Sequence, residues 1–283
     1  MTGSNPADDL ASASGRVVSR RSVLLLGAAA ALTACSTPGP VAAPASASAA
    51  PAPAGTNASP TSASTGPAAS VSATAGTSPA RGTREVTHGP RSVAAVALTF
   101  HGAGDPRFAD AIMTAAERVG AVLTVLAVGS WLQTYPQMGD RVLAGGHELG
   151  NHTLHHRPMR LMGESAAYTE IVGGQREVQR FTTAPSWFRP SGTPHATPHI
   201  LAAAARAGYS TSLSFDVDPR DYTDPGPDLV VSRVLGAARP GSIVSLHLGH
   251  AGTVAAMPRL LGGLHDRGLV AVTVSQLLHG VRP

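Results

Sequence analysis

Val93-Ala94-Ala95-Val96-Ala97-Leu98-Thr99-Phe100-His101-Gly102-Ala103-Gly104-Asp105-Pro106 passes from a mostly apolar run through a glycine-rich turn into a proline. Val93 to Phe100 has the unbroken apolar character of a strand buried on both faces. Phe108, Ile112, Ala115, Ala116 and Val119 follow Pro106 at helix spacing, and Gly120 closes that helix. The pattern is a strand, a chemically rich turn and a helix.

Working outward, the unit repeats. Strands are predicted at Ala121 to Val128, His147 to Gly150, Ser210 to Phe215, Ile243 to His247 and Leu269 to Val274, with a strand-like Ser186 to Arg189. Helices are predicted at Gln137 to Ala144, Glu164 to Phe181 (weakened by Gly173-Gly174), Pro198 to Ala207, Leu229 to Ala238 and Val254 to Arg267. Repeated βα units with apolar strands predict an α/β fold with a parallel sheet or barrel, whose functional residues collect at the C-terminal ends of the strands. Those ends carry His101 to Asp105, Asn151 to His156, Arg189, Asp216 to Tyr222, and His247. Chemistry therefore concentrates on one rim.

The N-terminal third reads differently. Residues 22 to 80 contain no Asp, Glu, Lys or Arg. Ser22 to Ala34 is apolar, follows Arg16, Arg20 and Arg21, and ends in Leu32-Thr33-Ala34-Cys35, which describes an export signal too short to span a bilayer. Ser19-Arg20-Arg21-Ser22-Val23-Leu24 resembles a twin-arginine motif, with general export as the alternative, and Leu-Thr-Ala-Cys resembles a lipobox whose Cys35 is acylated. Residues 1–35 are thus read as a lipoprotein signal and 36–85 as a disordered Ala/Ser/Thr/Pro-rich tether, leaving 86–283 as the catalytic domain. The Ser36–Ala80 stretch spans roughly 40 Å as a coil and about 150 Å extended. The expected location is the outer face of the cell membrane or the envelope, anchored through Cys35. A plain signal with an incidental Cys and a spacer without reach are the simpler readings.

Composition closes off other classes. The chain has 283 residues with 21 Arg and no Lys, and a formal charge of +4, but no basic cluster, so nucleic-acid binding is not expected. One Cys excludes an internal disulfide.

His152 and His156, four residues apart, can face one way on a helical turn and bind one divalent metal. His155 competes as second ligand, and Asp105 or His101 are candidates for the third. Taken alone, such a pair is also a common surface feature.

In order, these motifs resemble the polysaccharide deacetylases with the NodB-homology domain, carbohydrate esterase family 4, over roughly Ser92 to Leu278. Gly146-His147-Glu148-Leu149-Gly150-Asn151-His152-Thr153-x-x-His156 is close to the family's H-[ST]-x-x-H segment. Phe188-Arg189-Pro190-x-Gly192 resembles its third motif, and Asp218-x-x-Asp221-Tyr222 its D-x-x-D-W. Pro240 to Leu246 resembles the approach to its last motif, with Leu246-His247 departing slightly from L-x-H. The resemblance implies a distorted (β/α) barrel, a divalent metal (Zn²⁺, with Co²⁺ or Ni²⁺ as alternatives) and removal of N- or O-acetyl groups from a polysaccharide. It implies a hydrolase of carbon–nitrogen bonds other than peptide bonds. His152 and His156 would be metal ligands, His247 the general acid, Asp221 its orienting partner, and Arg189 would steer the base.

The first motif departs from that pattern. Where the family has Thr-Phe-Asp-Asp-Gly-Pro, this chain has Thr99-Phe100-His101-Gly102-Ala103-Gly104-Asp105-Pro106. Three readings stay open: Asp105 swings back as metal ligand with His101 as base, His101 completes a three-His site with Asp105 as base, or the domain is a degenerate glycan binder. An esterase acting on something smaller is a further option. Trp131, Trp187, Tyr209 and Tyr222 are the few candidate sugar platforms. Peptidoglycan suits the anchor and tether, while chitin-like oligomers, exopolysaccharide and acetylated xylan fit the motifs equally.

Overall fold

A computed structural model of the chain describes residues 82–183 and 187–280. The export signal, Cys35, most of the tether and Ser186 lie outside the described residues. In order come β1 (Arg84–Val86), β2 (Ala95–Gly102), α1 (Pro106–Glu117), β3 (Thr124–Ala127), α2 (Gly129–Thr134), α3 (Gln137–Ala144) and β4 (Glu148–Asn151). Then follow α4 (Glu164–Val178), α5 (Pro198–Arg206), β5 (Thr211–Leu213), α6 (Pro227–Ala237), β6 (Ile243–His247), α7 (Ala251–His265), β7 (Val270–Val272) and α8 (Val274–His279). The boundary drawn at residue 86 falls inside the fold, because β1 straddles it.

The α/β barrel expected from the βα repeats is present in distorted form. Parallel strands run β4-β3-β2-β6, and β7 pairs with the first half of β2. β1 and β5 pair in parallel by themselves. Single bridges at Phe188 join Asn151 of β4 to Ser212 of β5, and Val217 bridges Val244 of β6. Two staves of the barrel are thus reduced to single residues, and the strand expected from Ser186 to Arg189 contracts to Phe188.

β2 sits at the centre because its sequence permits burial on both faces. Val96, Ala97, Leu98 and Phe100 are fully buried, and a side chain the size of Leu98 or Phe100 contributes about 1.5–3 kcal/mol by leaving water. The α1 face that packs inward is Ala109, Ile112, Met113 and Ala116, close to the spacing read from the sequence. The register of β2 on β6 sets His101 directly beside His247.

Two close backbone approaches shape the rim. Gly104, with φ of 99°, would drive a Cβ to 2.4 Å from the Cα of Gly249, so the turns after β2 and β6 meet this closely because Gly104 has no side chain. A Cβ on Gly174, inside α4, would lie 2.3 Å from Oδ1 of Asn151 and 2.6 Å from the carbonyl carbon of Thr153. The Gly173-Gly174 pair weakens α4 as a helix, yet it lets α4 press against the loop that follows β4.

Candidate active site

That loop carries His152 and His156, and it is not the helical turn expected from their spacing. Thr153 (φ 70°) and His156 (φ 57°) are left-handed. Such backbone is unfavourable for branched or bulky residues and persists where surrounding contacts hold it. The contacts are specific. Asn151 Oδ1 accepts the Thr153 N–H at 2.9 Å, and Asn151 Nδ2 donates to the Ile171 carbonyl at 2.9 Å and to the Tyr209 hydroxyl at 3.0 Å. Buried Glu170 accepts both the backbone N–H and the Nδ1–H of His155, each at 2.9 Å. His155 is thereby committed to Glu170 rather than to the cluster. Thr153 and Ser191 hydroxyls lie 3.1 Å apart, and Ser191 donates to the Arg157 carbonyl at 2.6 Å.

The outcome is a cluster of His101, His152 and His156 whose ligand nitrogens all lie within 4.8 Å of one another. The rings of His101 and His152 are 4.2 Å apart, and those of His152 and His156 are 4.8 Å apart. His152 Nδ1–H donates to the Arg189 carbonyl at 2.9 Å, which fixes the tautomer and leaves Nε2 with a free lone pair. That Nε2 is buried without a partner, as is Nδ1 of His101. His101 Nε2 faces Ser245 Oγ at 3.4 Å. Burial above all, then the charges of neighbouring histidines and Arg189, holds the His101 imidazole well below its ordinary pKa. Burial does the same to His152, with the charge of His156 next. Neutral imidazoles with orphaned lone pairs are the donor set a divalent cation requires. The described residues therefore fit a metal.

Asp105, expected in the site by two of the readings, is placed outside the histidine cluster. Its carboxylate caps α1, accepting the Arg107 N–H at 2.9 Å, and pairs with the Arg107 guanidinium at 2.6 Å. Arg107 holds that carboxyl below the usual aspartate range. Asp followed by Pro at the first helical position is an N-cap signature, and the carboxylate is used as one here. Asp105 neither joins the His cluster nor lines the cavity in front of it.

Opposite the cluster stands a dyad. Asp221, fully buried, accepts the His247 N–H at 2.8 Å, the His247 Nδ1–H at 2.7 Å and the Thr253 hydroxyl at 2.7 Å. The His247 ring lies 4.3 Å from that of His101. Thr253, which sequence reading missed, sits in the first turn of α7 and anchors the acid. Arg189 is buried and donates through Nε to the Leu213 carbonyl at 3.3 Å and through Nη2 to the Ser214 carbonyl at 3.0 Å. Burial pushes it down to about 9 against the pull of Asp218, and its Nη1 has no partner. It supports the site from beneath, through its own carbonyl on His152, rather than by touching a side-chain base.

A cavity of about 620 Å³ opens in front, lined by His101, His156, Arg220, Tyr222, His247 and His250 among others. Trp131, Trp187 and Tyr209 are buried, so of the four candidate platforms only Tyr222 reaches the cavity, its ring edge-on to His247 at 5.1 Å. Among the described residues, no helix is long and apolar enough to cross a membrane.

Comparison with known proteins follows the same line. The family model for polysaccharide deacetylases matches residues 88–212. A peptidoglycan-N-acetylglucosamine deacetylase of Bacillus cereus is 33% identical over 193 residues, covering 67% of this chain and 90% of its own. A chitooligosaccharide deacetylase of Sinorhizobium fredii is 29% identical over 208 residues, covering 68% of this chain and 96% of its own. A crystal structure of a CE4 family pseudoenzyme from Bacillus anthracis shares the fold, with a TM-score of 0.65 over 70% of this chain and 69% of that one, at 21% identity.

Proposed function

The chain belongs to the polysaccharide deacetylase family, and from that premise we propose that it is a metal-dependent hydrolase removing acetyl groups from an N-acetylated envelope glycan, peptidoglycan first among the candidates. The observation that carries this reading is the facing arrangement of the three-His cluster and the His247–Asp221 dyad across 4.3 Å. His101, His152 and His156 would hold the metal, and three neutral imidazoles suit Zn²⁺, with Co²⁺ or Ni²⁺ as alternatives. When bound, the cation supplies a Lewis acid for the acetyl carbonyl oxygen.

The chain's own residues supply the proton traffic. Asp221 fixes the His247 ring with Nδ1–H inward, leaving Nε2 as the atom that exchanges protons. With His101 in the cluster and Asp105 capping α1, His247 Nε2 takes the proton of the attacking water. It returns that proton to the departing nitrogen as the carbon–nitrogen bond breaks, giving acetate and an amine. Cys35 and its tether support an anchor at the outer membrane face with reach into the wall, a proposal resting on sequence alone.

A second reading, a glycan binder without turnover, is favoured by one observation: among the described residues, no carboxylate joins the histidines in the cluster. Calorimetry with zinc and acetate release from N-acetylated glycans separate the two. Tight one-to-one binding that disappears in His156→Ala, together with acetate release, supports the hydrolase. Metal and glycan binding without acetate release establishes the binder, and no metal binding by the unmutated chain removes the metal centre.

A further inference from the structure

One cationic side chain of the cleft has no ion pair among the described residues, and that points outward to the ligand. His247 is paired with Asp221, and His250 with Asp224 at 2.8 Å. Asp218, the acid on the cavity wall, uses Oδ1 to accept the backbone N–H of Arg220 at 2.8 Å, and its charge acts inward on buried Arg189. Arg220 lines the same cavity, and its guanidinium has no carboxylate partner among the described residues. Arg220 and Asp218 are both full charges on that wall without an ion pair among the described residues, and Arg220 is the cation of the two.

Its backbone sharpens the point. Arg220 is left-handed (φ 53°, ψ 44°), a conformation that glycine or asparagine adopts at lower cost. The turn itself is secured without the side chain: Asp218 takes the Arg220 N–H, and the Arg220 carbonyl accepts from the Thr223 N–H at 3.1 Å and the Thr223 hydroxyl at 2.8 Å. The turn does not require an arginine, whereas a ligand does. Arg220 immediately precedes Asp221 and Tyr222 in the chain, so its backbone is fixed next to the dyad and on the cavity that Tyr222 also lines.

We propose that Arg220 binds a carboxylate on the sugar residue adjoining the one whose acetamide is cleaved, so that the cleft selects an acidic N-acetylated glycan over a neutral one. This rests on the reading that the cleft accepts an N-acetylated glycan. A guanidinium meets a carboxylate by two parallel hydrogen bonds, whereas a neutral sugar offers it only hydroxyls. Such carboxylates come from two sources: the lactyl ether of a muramic acid or the C6 acid of a uronic acid.

The test is direct binding, which does not depend on turnover. The full chain, loaded with zinc, is titrated by calorimetry with three oligomers of equal length: a chitooligosaccharide, a peptidoglycan strand stripped of its stem peptides, and a hyaluronan fragment. At least one acidic oligomer should bind about tenfold tighter than the neutral one, with the margin shrinking as salt is raised. Which acidic oligomer wins identifies the source of the carboxylate. Arg220→Gln should bring acidic and neutral affinities together, and Arg220→Lys should keep part of the difference. The salt dependence in the unmutated chain is a check needing no variant. Equal affinities for all three oligomers, no binding of any, or a preference that survives Arg220→Gln would overturn the proposal. A preference without acetate release would sink the hydrolase and leave Arg220 standing, and acetate release without a preference would do the reverse.

Discussion

The two histidine groups of this cleft face each other across one strand pair and differ in a single respect: what holds their second nitrogen. In the cluster, His152 Nδ1 is spent on the Arg189 carbonyl and Nε2 is buried with nothing to bond. In the dyad, His247 spends both its N–H and its Nδ1–H on one buried carboxylate. A carbonyl fixes the tautomer without adding charge, so His152 stays neutral and ready for a cation. A carboxylate on Nδ1–H fixes the His247 tautomer and turns Nε2 toward the cleft as the atom that exchanges protons. The same side chain, on strand ends of one rim, is given two tasks by its acceptor.

Paired substitutions can break that comparison. His152→Ala should lower zinc affinity by about a hundredfold or more, since removing a ligand exceeds the effect of removing a ligand's supporting partner. His247→Ala should leave zinc affinity near that of the unmutated chain and cut acetate release by about 10²–10⁴-fold. If His247→Ala weakens zinc as much as His152→Ala does, the two groups are one ligand set and the division of labour is wrong.

A smaller effect sharpens the cluster side. His101 and His152 are held well below the ordinary histidine value by burial. As pH falls through about 6.5, the unfolded chain takes up protons at these positions and the folded chain does not. The metal-free protein should therefore lose stability from about pH 6.5 downward until the folded imidazoles themselves titrate, and these groups should contribute no pH dependence above about 7.5. Thermal melts of chelator-treated protein from about pH 8 down to about 5 check this, with His101→Leu as the comparison. A slope in that variant equal to the parent's would mean that His101 is not the strained group.

How much of this was readable from the chain depends on how local the cause is. β6 and α3 match the predicted spans, because Pro240-Gly241 and the apolar run of β6, and the apolar face of α3, are marked by adjacent residues. β1 was missed: Arg-Glu-Val has no pattern of its own and is a strand only because Thr211–Leu213 pairs with it. The His152–His156 loop misled for the same reason. Four-residue spacing fits a helix, but the left-handed backbone at Thr153 and His156 is held by contacts from Asn151 in β4, Glu170 in α4 and Ser191 in the turn after Phe188. Thr253 under Asp221, and Gly174 against Asn151, carried no local signal either. Strand-end chemistry was legible, whereas the contacts that aim it are long-range.

Asp105 is the converse case, where local sequence held the answer and family likeness pulled the other way. Asp-Pro before an apolar helical pattern reads as N-cap and first helical residue, and the structure uses it so. Asp105→Ala should therefore lower Tm by about 2–4 °C through loss of the cap, because the Arg107 pair, with an 86% exposed guanidinium, adds little. Zinc affinity and acetate release should stay within about twofold of the parent. Asp105→Asn, which keeps a capping oxygen, should recover most of the lost Tm. A fall in metal affinity in both variants would return Asp105 to the site and displace His101 from the ligand set, reversing the assignment on which the comparison of the two histidine groups rests.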